Sequence, residues 1–232
     1  MSNASGIPNG VMSSYRRDPV LTAQEVSALD ATKLWGREPL ESKPGTTWDY
    51  SLTNWVIVRA VIESATGQSF ETVFHDEVVA ALGLNATGIP GPSFPEADDD
   101  AQNYSSVQPA TSKPNRVPTY AAAAGTIYSS AANLRKILDE VFNDHYLDRE
   151  SRRQLTSINV ETQGYALGGR VVDLADTPYK LLWESGETSN YRSLVAYEPM
   201  SGACVIFLDN SGISTDALAD AARITMRQLL LR

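Results

Sequence analysis

The feature that most constrains the fold is a change of hydrophobic period partway along the chain. Up to about residue 156, apolar residues recur at helical spacing. From residue 165 onwards, short runs rich in β-branched and aromatic residues alternate with turn residues. Helices first, then closely linked strands, indicate the α+β class rather than alternating βαβ units.

Apolar stripes and end signals predict the helices of the first region. The stripes are Val58, Val61, Ile62 and Ala65 before Gly67; Phe70, Val73, Phe74, Val78 and Ala81 after Ser69 and before Gly83; and Leu134, Ile137, Leu138, Val141 and Phe142 after Ser129-Ser130. Serine caps a helix start, and glycine just past the last turn ends one. Shorter helices are predicted over Ala23–Leu29 and Arg149–Thr156.

Four strands and a last helix are predicted in the second region. The strands are Tyr165–Val172, Tyr179–Trp183, Arg192–Tyr197 and Ala203–Leu208, separated by turn-like Asp173–Pro178, Gly186–Asn190 and Glu198–Gly202. Short links between them favour an antiparallel meander. The helix begins at Thr215 or Asp216 and has Leu218, Ala221, Ala222, Thr225 and Leu229 on one face. We therefore expect one domain over 1–232, helical and loop-like to residue 160 and a sheet with a terminal helix over 161–232.

A long aperiodic stretch runs from Leu84 to about Tyr120. It contains six of the prolines and the charge run at 98–100, which is typical of a solvated surface. A loop of this length within a compact domain indicates either a functional lid or a disordered insertion.

Composition excludes several classes of function. The net charge of −9 disfavours binding to nucleic acid. Nothing approaches the roughly 18 consecutive apolar residues of a membrane span. Met1–Ala4 lacks the charged and apolar regions of a secretory signal. The single cysteine, Cys204, lies in an apolar run and is interpreted as a buried structural thiol.

Several segments, in order, resemble motifs of one known family. Ser5–Pro8 is similar to a "TSG(L/I)P" loop, Pro44–Trp55 to "PGTxFxYSNTNY", and Ala124–Leu134 to "AGGLxSTAxDL". Glu63–Phe70, followed by Leu82-Gly83-Leu84, is similar to "ExxTGxS(F/Y)…LG(L/M)". Together they resemble the serine β-lactamase-like group of class C β-lactamases, esterases and D-Ala-D-Ala carboxypeptidases. The resemblance implies a β-lactamase/transpeptidase-like fold, an acyl-serine mechanism, and β-lactam, D-Ala peptide or small ester substrates.

The resemblance carries one catalytic side chain across. Tyr50 matches the tyrosine of the family's Tyr-x-Asn motif, which moves a proton at the leaving group and needs a lowered phenol pKa to do so. Without the resemblance, Tyr50 reads as a half-buried aromatic residue before a helix. Leu52 stands at the asparagine position, where it cannot hydrogen-bond a substrate.

The family's third motif, Lys-Thr-Gly or His-x-Gly, is also altered. Glu184, Ser185 and Gly186 stand in its place, so a carboxylate replaces the group that attracts a substrate carboxylate. Gly186 still permits close backbone approach, and the N–H of Glu187 is a candidate oxyanion donor. These four residues are the substrate-binding candidates, with Leu52 as a fifth position. The alternative is a polar strand end near a turn.

The family's nucleophile motif is absent from the chain. Ser-x-x-Lys places a serine and its proton acceptor on one helix face. Ser13–Arg16 gives Ser-x-x-Arg instead, and arginine cannot act as a base. In the family this motif precedes the Ser-Gly-Ile-Pro loop. We therefore expect a domain truncated at its N-terminus, without the first strands of its sheet.

Other chemistries find little support in the sequence. His75 and His145 are not near a serine motif, which disfavours a Ser-His-Asp triad. Neither metal-ligand spacing nor a glycine-rich phosphate loop occurs. No cofactor is expected.

Three hypotheses remain open. The chain is part of a hydrolase and inactive alone, or it is a non-catalytic descendant that binds a ligand or partner, as the changed Leu52 and Glu184 favour. In either case the unpaired sheet edge predicts self-association or pairing with a complementary fragment. The partner at the site is a small molecule or peptide. The resemblance implies a periplasmic or secreted location.

Overall fold

The computed structural model describes residues 2–18, 20, 25–91, 100–112, 118–143 and 146–232. The chain forms two compact units. The first comprises Met1–Phe94 with Arg116–Ser129, and the second comprises Pro95–Asn115 with Ser130–Arg232.

The first unit is built mainly from helices. Its elements are α1 (Gly10–Arg17), α2 (Ala28–Trp35), α3 (Leu52–Thr66), α4 (Phe70–Phe74), a π-helical continuation of α4 (His75–Ala80), β1 (Thr87–Gly88), a 3₁₀ segment (Thr119–Ala124) and β4 (Tyr128–Ser129). The short strands β1 and β4 pair antiparallel. The predicted ends of two helices are confirmed: Gly67 follows α3 in the left-handed region (φ 68°), and the Ser69 hydroxyl accepts the N–H of Thr72 (3.1 Å) at the start of α4.

The core of the first unit gathers side chains from α1, α2, α3 and the 3₁₀ segment. They are Val11, Ala31, Trp35, Val56 and Tyr120, all buried. The rings of Trp35 and Tyr120 lie 4.9 Å apart between centroids. This packing holds the N-terminal part of α3, which begins two residues after Tyr50.

One helix prediction in the first unit needs correction. The helix expected over Ala23–Leu29 begins only at Ala28, and α1 was not predicted because its stretch has no clear apolar stripe. Residues 21–24 of that expectation lie outside the described residues. Capping explains the observed starts: side-chain oxygens of Asn9 and Ser27 accept the N–H groups of Met12 (3.3 Å) and Asp30 (3.1 Å).

The second unit contains an antiparallel meander flanked by helices. Its elements are β2 (Tyr104–Val107), β3 (Ala110–Ser112), α5 (Ala131–Phe142), α6 (Arg149–Thr156), a 3₁₀ turn (Glu161–Gln163), β5 (Tyr165–Ala166), β6 (Gly169–Asp173), β7 (Lys180–Thr188), β8 (Tyr191–Glu198), β9 (Ala203–Asp209) and α7 (Thr215–Leu230). The sheet order is β5-β6-β7-β8-β9, and every neighbouring pair is antiparallel. The predicted meander and α+β class are confirmed, as are the Ser130 cap of α5 and the bounds of α6.

Two strand predictions need correction. The strand expected over Tyr165–Val172 is a hairpin, since a two-residue turn at 167–168 separates β5 from β6. The turn expected over Gly186–Asn190 contains only residues 189–190, and β7 continues to Thr188. Cross-strand pairing with β8, such as Gly186 opposite Ser193, overrides the turn preference of glycine.

One helix covers one face of the sheet. Leu218, Ala222 and Met226 of α7 pack against Leu181, Trp183, Leu194, Ala196 and Val205. The apolar face predicted for α7 is wrong at its C-terminal end. Met226 is buried there, and Leu229, which was predicted to lie on this face, is exposed. No helix in the described part of the chain has the length and apolar character of a membrane span.

The stretch from Leu84 to Tyr120 is only partly described. Residues 104–112 form the β2–β3 hairpin, and 119–124 the 3₁₀ segment. Residues 92–99 and 113–117 lie outside the description, so of the charge run only Asp100 is placed. The choice between lid and insertion stays a prediction.

Candidate functional site

Tyr50 lies in the irregular segment that leads into α3, with Ser51 between it and the first helical residue. Its side chain is 42% exposed, so the phenol is at the surface of the first unit. Its carbonyl accepts a hydrogen bond from Nδ2 of Asn9 (3.3 Å). The backbone at Tyr50 is therefore fixed by a side chain from the loop that precedes α1.

Asn9 joins the starts of two helices. Its Oδ1 accepts the N–H of Met12 in α1 (3.3 Å) and the N–H of Leu52 in α3 (3.2 Å). A free N–H at a helix start needs such a partner. The same side chain thus caps α1, binds the first residue of α3 and contacts the carbonyl of Tyr50.

A buried polar cluster lies behind this loop. Asn54, fully buried, accepts the Ser5 hydroxyl through Oδ1 (2.7 Å) and donates from Nδ2 to Oδ1 of Asn3 (3.3 Å). The carbonyl of Asn3 accepts the N–H of Asp49 (2.8 Å), next to Tyr50. Buried amides need partners, so these bonds specify one path for the chain around Tyr50.

The side chain of Leu52 has the surroundings of a packing residue. It is the first residue of α3, and its half-buried side chain packs against the core of the first unit. It offers no polar group where the family motif has asparagine.

The residues expected at the family's third motif, Glu184–Glu187, lie where β7 extends beyond β6. β6 pairs with β7 from Lys180 to Trp183, whereas β8 pairs with β7 up to Thr188. Residues 185–188 of β7 therefore have a strand on one side only within the described residues. We call this stretch the β7 edge.

The register fixes the direction of the backbone groups along the β7 edge. The two-residue turn makes Thr188 and Tyr191 a hydrogen-bonded pair. Bonded and non-bonded pairs alternate in an antiparallel ladder. The N–H and C=O of Glu187, and those of Ser185, therefore point away from β8 towards the open side. This direction is the one an oxyanion donor or a strand-like ligand requires.

Glu184 turns its carboxylate back towards β6. Its Oε1 accepts the N–H of Arg170 (3.2 Å), and its side chain fills the space where a Cβ on Gly169 would lie. Burial raises the pKa of Glu184, and the Arg170 guanidinium and N–H oppose that rise. Glu184 therefore caps the end of β6 at the start of the β7 edge.

The remaining side chains of the β7 edge are exposed or paired. Ser185 is exposed and Gly186 faces Ser193 across the ladder. The carboxylate of Glu187 lies 2.9 Å from the Arg192 guanidinium. The Glu187 N–H thus remains as the outward backbone donor of this edge, since the Ser185 N–H bonds to the Glu184 carboxylate.

Other candidate groups have ordinary environments. Nδ1 of His75 lies 2.9 Å from the Asp76 carboxylate on an exposed helix surface, and His145 falls outside the described residues. Burial raises the pKa of the half-buried Cys204 thiol, which disfavours the reactive thiolate. The described residues contain no group of three or more potential metal ligands.

Several residues beside the site were not identified from the sequence. Asn3, Asn9 and Asn54 are loop or helix-start asparagines with no periodic signal. Gly169 had one available signal, because a glycine beginning a strand indicates close approach by another group.

Comparison with known proteins supports one family. A family model described as Beta-lactamase matches residues 1–230. A D-stereospecific amidohydrolase from Streptomyces sp. is 19% identical with a TM-score of 0.77, over 95% of this chain and 70% of that one. A penicillin-binding protein from Bacillus halodurans is 17% identical with a TM-score of 0.79, over 97% and 70%. An octameric penicillin-binding protein homologue from Pyrococcus abyssi is 20% identical with a TM-score of 0.78, over 100% and 55%. At such identities the structures establish a shared fold.

Proposed function

The chain belongs to the β-lactamase family, and on that premise we propose that it supplies the substrate-side half of a serine-type amide or ester hydrolase. In this proposal the Glu187 N–H is an oxyanion donor, Tyr50 moves a proton at the leaving group, and residues 1–232 form no acyl-enzyme by themselves. The observation that carries the proposal is the open β7 edge, where the register directs the Glu187 N–H away from β8, next to the residues that resemble the family's third motif.

The substrate class follows from the charges of this edge. Arg192 is paired with Glu187, and Arg170 lies over the Tyr165 ring, 5.1 Å from its centroid. Among the described residues the edge presents no lysine or histidine to a substrate carboxylate, and the Arg192 charge is already balanced by Glu187. Neutral amides and esters are favoured over carboxylate-bearing β-lactams, since the edge lacks the cation that would attract that carboxylate.

Turnover and acylation test this proposal. Nitrocefin and p-nitrophenyl acetate are incubated with residues 1–232 and with the product of the whole gene, and adducts are located by mass spectrometry. An adduct on a Ser-x-x-Lys serine of the whole product, with ester preferred, supports it. In that product Tyr50→Phe lowers kcat about 100-fold, as loss of a general acid–base does. Turnover by residues 1–232, or no adduct with either protein, contradicts it.

A second candidate function is ligand binding without catalysis. Leu52 packs into the core and Glu184 caps β6, so both replaced side chains have structural partners. Such a protein would bind an amide at the β7 edge and never acylate. A fluorescent penicillin bound covalently to any serine of residues 1–232 would exclude this alternative.

We propose further that the outer edge of β9 pairs with a strand of a second copy or of a complementary fragment. β9 is the last strand of the sheet, and α5 and α7 pack against it. Residues 203–208 of this strand are apolar, and its one charge, Asp209, stands at its last position, whereas charges along a strand usually protect an edge.

Light scattering tests the pairing. Leu208 is 46% exposed, so Leu208→Lys adds a charge to the edge without emptying the core. The unmodified chain is expected to associate with increasing concentration and Leu208→Lys to remain monomeric. A strictly monomeric unmodified chain would contradict the pairing.

A further inference from the structure

The turn at the end of the β7 edge has an unfavourable backbone conformation. Ser189 and Asn190 form the two-residue link between β7 and β8, and Ser189 has φ 52°. This left-handed region favours glycine or asparagine in such turns. A serine remains there only when surrounding contacts determine its conformation, and such residues cluster at functional sites.

Four side chains, which we call the asparagine clamp, tie residues 101–104 to this turn and to the end of β9. They are Asn103, Asn190, Asn210 and Tyr191. Nδ2 of Asn103 donates to the Ser189 hydroxyl (2.9 Å), and Nδ2 of Asn190 donates to the carbonyl of Tyr104 (2.7 Å). Asn103 is buried, so its bond is shielded from competing water.

The other two members hold the remainder of the segment. Nδ2 of Asn210 donates to the carbonyl of Gln102 (2.7 Å), and the Tyr191 hydroxyl donates to the carbonyl of Ala101 (2.7 Å). The N–H of Tyr104 also donates to the carbonyl of Asn210 (2.9 Å). Each residue from 101 to 104 therefore takes part in a bond to the turn or to Asn210.

Arg192 holds the same turn from within the hairpin. Its Nη1 donates to the carbonyls of Ser189 (2.7 Å) and Tyr191 (2.9 Å), and its Nη2 lies 2.9 Å from the Glu187 carboxylate. The planar guanidinium makes these contacts in one fixed geometry. The turn is thus held on two sides.

The β7 edge needs this support because β6 does not reach it. Gly186 weakens the strand, and residues 185–188 have only β8 beside them in the described structure. We propose that the asparagine clamp is a positioning device for the outward N–H of Glu187, with Asn103 as its central residue. The functional part of this proposal rests on the proposed function, whereas the positioning part concerns the hairpin alone.

Amide hydrogen exchange tests the positioning part. The N–H groups of Gly186 and Thr188 bond to β8 and report on the hairpin end, while that of Leu194 in the core reports on global unfolding. Asn103→Ala is expected to speed exchange at Gly186 and Thr188 about tenfold, as loss of a buried bond does, while exchange at Leu194 rises only as far as the global stability falls. Asn159→Ala, which removes an exposed side-chain bond to the Ser157 carbonyl, is the matched control and leaves all three amides unchanged.

A second substitution identifies the cause. Glycine adopts φ 52° without strain, so Asn103→Ala combined with Ser189→Gly is expected to return exchange to within about threefold of the unmodified chain. Should Asn103→Ala fail to fold, Tyr191→Phe removes one clamp bond and is expected to speed exchange about threefold. Faster exchange confined to residues 104–107, with Gly186 and Thr188 unchanged, would overturn the proposal.

Binding of phenylacetamide, a neutral amide probe, tests the functional part. The Glu187 amide resonance is expected to shift on titration, and Asn103→Ala to weaken the apparent Kd about tenfold while Asn159→Ala has no effect. If no shift occurs in the unmodified chain, the proposed function fails and the exchange result still decides the positioning part. A shift with the same Kd in Asn103→Ala would show that the clamp does not position the donor.

Discussion

The surroundings of Tyr50 and the β7 edge obtain their geometry in different ways. Around Tyr50, side chains determine the chain path, since the amides of Asn9 and Asn54 connect separate loops. Along the β7 edge, the backbone ladder to β8 determines the direction of the donors. A site made of side-chain bonds is sensitive to single substitutions, whereas a ladder tolerates them. The third motif can therefore differ from that of the family and still present its N–H groups.

The largest expected effect tests the side-chain half of this comparison. Asn54→Ala leaves the half-buried Ser5 hydroxyl and the fully buried Asn3 side-chain oxygen without their Asn54 partner. We expect a loss of about 3 kcal/mol in the free energy of unfolding, because each buried unpaired group costs on the order of 1–3 kcal/mol. Urea unfolding measures it. The exposed Asn159→Ala is the control, and an equal loss in both variants would show that the cluster does not fix the loop.

Gly169→Ala disturbs the β7 edge through its neighbour. Gly169 has φ 127°, and a Cβ there would lie 2.7 Å from Cγ of Glu184. We expect a loss of about 2 kcal/mol from strain and displacement of that side chain. Gly125 has φ 106° and no atom within 4 Å of a Cβ, so Gly125→Ala measures the conformational cost alone.

The double variant Gly169→Ala with Glu184→Ala separates the two causes. Removing the carboxylate side chain removes the steric conflict and leaves the backbone strain. Thermal unfolding is expected to place the double variant between the unmodified chain and Gly169→Ala. A double variant less stable than Gly169→Ala would mean that Glu184 stabilises β6 by more than the conflict costs.

Glu184→Gln addresses the charge at the start of the edge. Burial raises the pKa of Glu184, so the folded state favours the protonated form. The contribution of Glu184 to the stability of the folded state is therefore complete at pH values below its pKa in the unfolded chain. This contribution declines as the pH rises through its pKa in the folded state. Glutamine stays neutral, and we expect the variant to be more stable near pH 7, with the difference disappearing as the pH falls below the unfolded pKa. Urea midpoints across this range measure it, and a less stable variant near pH 7 would mean that the Arg170 attraction dominates.

The surroundings of Tyr50 and the β7 edge also differ in how much of their structure the sequence predicts. Period and capping located α3, α6 and the meander, because these signals are local. The sequence also placed Glu187 next to the third motif. It did not identify Asn54 or Asn103, since their importance arises from partners 51 and 86 residues away along the chain. Nor did the sequence indicate that β7 extends beyond β6. The length of their pairing depends on the hairpin turn at Leu167-Gly168, after which β6 begins.

The smallest expected effect tests whether the β7 edge depends on its backbone alone. Ser185 is exposed, and its N–H and C=O, like those of Glu187, point to the open side. Ser185→Ala removes only a hydroxyl, so the unfolding free energy is expected to change by less than about 0.5 kcal/mol. The phenylacetamide-induced shift of the Glu187 amide is expected to persist with an unchanged Kd. Glu187→Pro is the opposite case, since it removes the outward N–H of Glu187 itself and is expected to abolish the phenylacetamide-induced shifts of the neighbouring amides. Loss of binding in Ser185→Ala would show that the Ser185 hydroxyl recognises the ligand. Binding at the β7 edge would then depend on a side chain, as the geometry around Tyr50 does.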